Sequence, residues 1–509
     1  MGETCTAKRA ESRRSGKTGR AGVRAFVVAK KPVKAGGAKG GRKVETMGSE
    51  GTPEGRAVVS ETTMRDGEAA AEKWWWVERT FWTDRMLQAL ETGVKGGKWY
   101  SLIDKMVRPE VLDAAWQQVR ANQGAPGTDH VNIDAFEQRA EEELQKLREE
   151  LWGGHYRPQA IRRVYIPKPG SSEKRPLGIP TVRDRVVQAA LRIGIEPIFE
   201  VGFNPNSYGF RPGRGAKDAL AAVVSHLRKG EVWVIDVDLK AYFDSIPHNL
   251  LIALLEEKIA DRRILELIAG FLRAGVMEGA QEIMAEGGRQ QGTPQGGVIS
   301  PLLANLYLDD LDHEMTARNG HMVRYADDIV VLCTNETEAR QALAAIQEWT
   351  QRRGLTLHPE KTKIVNMDEP RATFDFLGFR FMQKRDKEDD RPTRAFYRFV
   401  RPKSEQKLKD AIRGITRRTN AHSLDVIIVR VNQRLRGWSG YFRTAHENVH
   451  RRLDQWIRMR LRSILRKRSK RKGRGRGYDH NRWPNAFFDQ MGLFSLLDAH
   501  QAYMQSPRG

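Results

Sequence analysis

The sequence predicts an α+β fold: a split βαβ sheet backed by helices, then a helical domain. Two acidic strand motifs and one change of periodicity carry that prediction. Val234-Ile-Asp-Val-Asp-Leu239 reads as an extended strand. Alternate residues of a strand share a face, so Trp233, Ile235, Val237 and Leu239 fall on one side and Val234, Asp236 and Asp238 on the other. One side is expected to be core and the other a cleft. Tyr325-Ala326-Asp327-Asp328 stands between Met322-Val323 and Ile329-Val-Val-Leu332, a pattern that predicts a hairpin with the acids at its turn. Beyond Phe381 the composition turns basic and the apolar spacing becomes helical.

Taken along the chain, residues 1–70 are rich in Arg, Lys, Gly, Ser and Thr and poor in large apolar groups, so this segment is expected to be disordered. Trp74-Trp-Trp-Val77 opens a more apolar stretch, expected to form a helical extension of a domain covering 71–383. Within that domain Pro247–Lys258 places Leu250, Leu251, Leu254 and Leu255 on one helical face. Asn335-Glu-Thr-Glu338 is a side-chain cap with Glu at the third helical position. Ala339, Leu343, Ile346 and Trp349 then share a face, and Gly354 stops the helix. The order strand, helix, hairpin, helix, strand is that of a split βαβ unit with one open face for substrate. In 384–465 the stripes Leu408/Ala411/Ile412/Ile415, Leu424/Ile427/Ile428/Val431/Leu435 and Leu453/Trp456/Ile457/Leu461/Ile464 predict a three-helix unit. The region 466–509 starts with the polycation Arg466–Arg476, expected to be flexible, and regains apolar residues at Trp483, Phe487, Phe488, Leu493, Phe494 and Leu496.

Charge narrows the partners. With 87 Lys and Arg against 64 Asp and Glu in 509 residues, the formal charge is +23, which points to a polyanion and to affinity that falls steeply with salt. No apolar run reaches the length of about 18 residues that spans a bilayer, so no membrane partner is expected. Two cysteines, Cys5 and Cys333, exclude a disulfide framework and a Cys₄ zinc site.

Carboxylates crowded on adjacent strands repel one another and stay ionised most readily with divalent cations between them; hard Mg²⁺ prefers carboxylate oxygen together with substrate phosphate. Brought side by side, the two acidic motifs would form a metal site. They sit in an ordered series of blocks: Gly124-Ala-Pro-Gly-Thr-Asp129; Ile166-Pro-Lys-Pro169 and Arg175-Pro-Leu-Gly-Ile-Pro180; Ser207-Tyr-Gly-Phe-Arg-Pro212; the strand around Asp238; Gln291-Gly-Thr-Pro-Gln-Gly-Gly-Val-Ile-Ser-Pro301; Tyr325–Asp328; Gly354-Leu-Thr-Leu-His-Pro-Glu-Lys361; and Phe376-Leu-Gly-Phe379. Through these blocks the chain resembles, from about Asn122 to its C-terminus, the reverse transcriptase/maturase encoded by group II introns, of the bacterial type without an HNH endonuclease.

That resemblance implies a right-hand polymerase with fingers and palm, a helical thumb or maturase domain, and a basic DNA-binding end. It implies that Asp238, Asp327 and Asp328 hold two Mg²⁺ ions, with Mn²⁺ as a substitute, and that Asp236 and Asp244 support or cap rather than ligate. Lys168 and Arg175 would clamp the incoming nucleotide, Gln295 would line its pocket, the Phe243 ring would exclude a 2′-hydroxyl, and Lys361 would lie near substrate or primer. Arg434-Leu-Arg-Gly-Trp-Ser-Gly-Tyr-Phe-Arg443 resembles the maturase signature, so Arg434, Arg436, Trp438 and Arg443 are the candidate RNA contacts. The implied partners are group II intron RNA, an RNA template with DNA primer, dNTPs and target DNA, in the bacterial cytoplasm at the nucleoid; homodimerisation is left open. A splicing-only RNA-binding protein and a domesticated reverse transcriptase in phage defence or diversification are the competing readings.

Overall fold

A computed structural model describes residues 73–506 apart from 168–173, 280, 284–288, 319, 387–390, 472 and 474–476, and for 281–283 the backbone alone. Its described strands are β1 (Ile161–Pro167), β2 (Lys174–Ile179), β3 (Trp233–Asp238), β4 (Val276–Glu278), β5 (Gln281–Ile283), β6 (His321–Tyr325), β7 (Asp328–Cys333), β8 (Lys363–Asn366), β9 (Thr373–Phe376), β10 (Phe379–Arg385) and β11 (Pro392–Val400). They form three sheets, ordered β2-β1-β4-β5, β6-β7-β3-β8 and β11-β10-β9. The expectation for residues 1–70 and for Lys168 falls outside the described residues.

The central sheet is antiparallel, with β3 between β7 and β8. Its side chains alternate between two cores. Ile235, Val237, Ile329 and Val331 enter one, with the helices Val182–Glu200, Ser300–Ala317 and Glu336–Arg352. Val234, Val323, Val330 and Leu332 enter the other, with the helix Ala216–Arg228, β9–β11 and the C-terminal helices. The second face is therefore not an open cleft along its whole length. Only its Asp238 end is left to solvent, because Asp236 and Asp238 replace the apolar residues that would continue the second core.

Local signals work as the sequence suggests. Asn335 Oδ1 accepts the Glu338 amide at 2.9 Å while Glu338 reaches back to the Thr334 amide at 3.0 Å, and Gly354 ends the following turn at φ +68°. Trp82 is buried in the first core and donates Nε1 to the Ile193 carbonyl at 2.9 Å, which anchors the N-terminal extension. One reading needs correction: the chain after Phe381 is not yet helical but remains strand through β10 and β11. Phe396, Phe399 and Val400 reach the second core from β11, which is held as a strand by its antiparallel pairing with β10, Phe379 opposite Val400 and Phe381 opposite Arg398.

Helices Pro402–Ile415, Leu424–Phe442 and Glu447–Arg468 then form the three-helix unit, with Leu408, Ile427, Val431, Leu453 and Leu461 in its core. The tail packs on the same core. Asp454 accepts the Leu496 and Leu497 amides at 3.1 and 3.0 Å, Asn432 bonds Gly492 and Phe494, and Phe488 is fully buried. The polycation is not flexible from its first residue: Arg466, Lys467 and Arg468 complete the third helix, and Arg466 pairs with Asp479 at 2.7 Å.

Candidate active site

The antiparallel register sets Asp238 at the end of β3 directly opposite Asp328 at the start of β7. Residues paired in this way point to the same face with Cβ atoms about 5 Å apart. Asp327 lies next to them in the two-residue turn of the β6–β7 hairpin, where Tyr325 pairs with Asp328. Ala326, the first turn residue, takes φ +57°, the sign that lets a two-residue hairpin follow the strand twist. Two strands far apart in sequence thus bring three carboxylates to one sheet edge.

Electrostatics mark this edge as short of positive charge. Burial, with repulsion from Asp327, Asp236 and Asp238, pushes the Asp328 carboxyl up to about 6. Asp327 is also raised, by burial and by Asp238, although Arg175 pulls the other way. Asp236 is pushed up to about 6 by burial, with Lys363 opposing and Asp238 and Asp375 adding to the rise. Lys361 Nζ meets Asp238 Oδ2 at 2.9 Å, so a monovalent cation already sits on one member of the set. An all-oxygen donor set of three carboxylates with one lysine in ion-pair contact keeps an excess of negative charge, which fits hard divalent ions.

The hairpin is held from below by groups that the sequence reading did not single out. Arg324 is 1% exposed, and its Nε donates to Asp312 Oδ1 and Oδ2, each at 2.9 Å. Its Nη1 donates to Asn305 Oδ1 at 2.9 Å and to the Ala326 carbonyl at 3.1 Å, which fixes the turn itself. Asn305 in turn donates to the Gly209 carbonyl at 2.7 Å. A Cβ on Gly209 would lie 2.3 Å from the Ala326 nitrogen, so the Ser207–Pro212 block seats on the acidic turn by backbone contact that only glycine permits. Arginine inside an apolar strand and aspartate inside an apolar helix were the signals available.

The nucleotide side is assembled from fingers and palm. The Gly178 amide in β2 donates to the Gln295 carbonyl at 2.7 Å, and a Cβ on Gly296 would meet the Gly178 carbonyl at 2.2 Å. This fixes the Gln291–Pro301 loop against the strand that carries Arg175. Arg175 is exposed and close enough to Asp327 and Asp244 to oppose the burial that raises both carboxyls. Phe243 is half-buried against the first core, and its carbonyl accepts the Thr293 amide at 2.6 Å. Loop 357–362 closes the other side, with the His358 amide on the Asp238 carbonyl at 2.7 Å. Lys361 thus touches the acidic set and Arg175 acts on it electrostatically, while the 291–301 loop holds Phe243 through Thr293 and is itself held at Gln295 by Gly178.

Comparison with known proteins agrees. Residues 166–381 match the model of the reverse transcriptase (RNA-dependent DNA polymerase) family, and residues 405–483 match the group II intron maturase-specific domain. Protein YkfC of Escherichia coli (strain K12) is 36% identical over 332 residues, covering 56% of this chain and 83% of that protein. The chain belongs to the group II intron reverse transcriptase/maturase family. The group II intron-encoded protein LtrA of Lactococcus lactis subsp. cremoris is 41% identical over 207 residues, 41% of this chain and 34% of that one. An uncharacterized 91 kDa protein in the cob intron of Schizosaccharomyces pombe is 32% identical over 325 residues, 52% of this chain and 39% of that one. The chain thus spans little more than a third of these two longer relatives.

In this family member the maturase segment divides in two. Arg434 and Arg436 are exposed on the helix Leu424–Phe442, Arg436 with its guanidinium 5.8 Å from the Phe494 ring centre. Trp438 turns inward, 4.9 Å from Phe442 and 5.8 Å from His450 between ring centres, and Arg443 lies 4.0 Å over the Tyr503 ring. The last two tie the helix to its neighbours. RNA is a partner of this family, and divalent metal ions serve its polymerase domain. No described helix is long and apolar enough to cross a membrane.

Proposed function

We propose that this chain copies RNA into DNA at Asp238, Asp327 and Asp328 and holds its own group II intron RNA on the basic thumb, which assists splicing and supports retromobility into target DNA. The observation that carries the reading is the pairing of Asp238 with Asp328 beside the Asp327 turn. Two Mg²⁺ ions, or Mn²⁺ in their place, would supply activation of the primer 3′-hydroxyl and neutralisation of the leaving pyrophosphate when bound by these carboxylates. Asp238 and Asp328 offer their oxygens from adjacent strands, and Arg324 keeps the turn from rotating Asp327 away. Arg175, with Lys168, would take the dNTP triphosphate, since a guanidinium donates a bidentate fork and an ammonium a point charge. Gln295 would line the pocket through a loop whose glycines admit close approach. Phe243 would stop a 2′-hydroxyl, and a Phe243→Ala enzyme should accept ribonucleotides in primer extension.

Splicing assistance would use a different surface, with positive charge on the thumb stabilising a compact RNA through phosphate contacts. Arg434 and Arg436 would act there directly, whereas Trp438 and Arg443 would act by holding the helix in place. We take its place of work to be the nucleoid of a bacterial cytoplasm, where DNA and RNA are both at hand. A paired assay tests it: complementary-DNA synthesis and intron splicing are measured for wild type and Asp327→Ala. Loss of synthesis with splicing retained is expected; loss of both by a folded variant would refute the two-surface reading.

A further inference from the structure

Away from the polymerase edge, the far end of the same sheet brings two histidines onto one buried carboxylate. His226 lies in the last turn of the helix Ala216–Arg228, Glu231 follows the turn at Gly230 (φ +96°), and His321 opens the edge strand β6. His226 Nδ1 is 2.8 Å from Glu231 Oε2, and His321 Nδ1 is 3.0 Å from the same oxygen. The two rings lie 4.6 Å apart with 32° between their planes. Among the described residues this is the one group of three His, Cys, Asp or Glu whose ligating atoms all lie within 4.8 Å of one another.

A shared hydrogen bond does not account well for this arrangement. Glu231 is 4% exposed, and among the described residues its ion-pair partners are these two imidazoles alone. A carboxylate is rarely buried without a full countercharge. Histidine is mostly neutral near pH 7, so the imidazoles give this carboxylate hydrogen bonds and not a full countercharge. Two imidazole nitrogens and one carboxylate oxygen, all within 4.8 Å of one another, form instead a donor set for a dication. Imidazole nitrogen suits zinc-like ions, whereas Mg²⁺ prefers oxygen. In tetrahedral zinc sites with metal–ligand bonds of about 2.0–2.1 Å, neighbouring ligand atoms stand roughly 3.4 Å apart, so the observed separations need to open by only a few tenths of an ångström. His321 is 47% exposed, which gives an entry path and leaves the fourth position to water.

We propose that His226, Glu231 and His321 bind one divalent transition-metal ion of the zinc class, which ties the end of the helix Ala216–Arg228 to β6. The backbone is already shaped for this. The Glu231 amide bonds the His226 carbonyl at 3.3 Å, and the Val232 carbonyl accepts the Met367 amide at 2.9 Å, which fixes the turn to the sheet. Because β6 runs from His321 into the acidic hairpin, the ion would brace the strand that presents Asp327 and Asp328. The site shares no residue with the polymerase assignment and stands independently of it.

The test uses the full-length protein, stripped with chelator and dialysed, then titrated separately with Zn²⁺ and with Co²⁺. Wild type should retain one equivalent of Zn²⁺, show the visible bands of low-symmetry Co²⁺, and unfold at a higher temperature with Zn²⁺ present. Asp327→Asn should behave as wild type does, which separates this site from the aspartate edge. His321→Gln, at a half-exposed edge position, and Glu231→Gln should weaken Zn²⁺ binding by roughly 100-fold, at least as much as losing an outer-shell partner costs. Circular dichroism checks that each is folded, and if Glu231→Gln is not, His321→Gln decides alone. Undiminished uptake by folded His321→Gln overturns the proposal, as does absence of uptake by wild type.

Discussion

Asp312 and Asp328 lie on either side of the same hairpin; burial raises both carboxyls, but an arginine faces the first and aspartates face the second. Asp312 is 3% exposed and receives the Arg324 guanidinium. Burial raises the Asp312 carboxyl and Arg324 pulls it back down, while Asp312 holds Arg324 in its charged form against the arginine's own burial. Asp328 has aspartates for neighbours instead, and its carboxyl is pushed up to about 6 by burial and by their charge. A carboxylate whose charge is cancelled within the protein is scaffold, and a group of carboxylates at the strand ends with only Lys361 in ion-pair contact is prepared for a cation from outside. The difference separates support from chemistry more sharply than residue type does.

The largest effect should come from the acidic side. Asp327→Asn keeps shape and removes charge, so primer extension on an RNA template should fall by roughly 10³-fold or more, the scale of losing several kcal/mol of transition-state charge stabilisation. Thermal unfolding should hardly change. On the cancelled side the order reverses. Arg324→Met leaves Asp312 buried without its partner and should cost about 3–5 kcal/mol in urea unfolding. Adding Asp312→Leu should recover most of that stability but not the polymerase activity, because the Ala326 carbonyl and Asn305 still lose their donor. Recovery of both would mean that the pair stabilises the fold without positioning the turn.

A smaller loss should follow from Gly209→Ala. Its new Cβ would have to displace the Ala326 backbone from 2.3 Å, shifting the acidic turn. A misplacement of about 1 Å at a reacting geometry costs roughly 10²-fold in rate. The expected signature is a fall in kcat with KM for dNTP little changed; equal changes in both would place the contact at the nucleotide pocket instead.

These contrasts show what the sequence could and could not reveal. The period of two in Val234–Asp238 and the Asp-Asp turn exposed the acidic edge, because strand alternation is a local property that survives tertiary packing. The caps at Asn335 and Gly354 were legible for the same reason. The unbroken apolar run Ile329-Val-Val-Leu332 carried the sign that Val330 packs into a second core, since a strand covered on both faces reads as a continuous apolar run and not as an alternation. The strand β11 was hidden because its burial does not alternate and its arginines make the composition basic, so only the pairing with β10 reveals it. Arg324, Asp312 and Asn305 come from separate elements and meet only in the folded chain. Trp438 reads as a stacking surface in a basic stretch, yet its ring is directed at His450 and Phe442.

The smallest effect tests the electrostatic contrast directly. A carboxyl raised to about 6 in the folded protein carries no penalty below its unfolded value near 3.8, where both states are protonated; as pH rises through 6 the folded state must ionise against its neighbours, and stability is lost. A shift of this size corresponds to about 3 kcal/mol at roughly 1.4 kcal/mol per pH unit, and because the side chain also reaches solvent, about 1 kcal/mol is the realistic figure. Asp328→Asn should therefore be more stable than wild type by that amount at pH 7.5 in Mg²⁺-free buffer, with the gap closing toward pH 4. Mg²⁺ should reverse the order, since an ion at 100 times its dissociation constant stabilises the wild-type fold by about 2.7 kcal/mol and the amide supplies a weaker ligand. Urea unfolding at both pH values, with and without Mg²⁺, reads the sign. If Asp328→Asn were the less stable protein without Mg²⁺ at pH 7.5, the carboxylates would not be repelling one another, and the distinction between the two sides of the hairpin would fail.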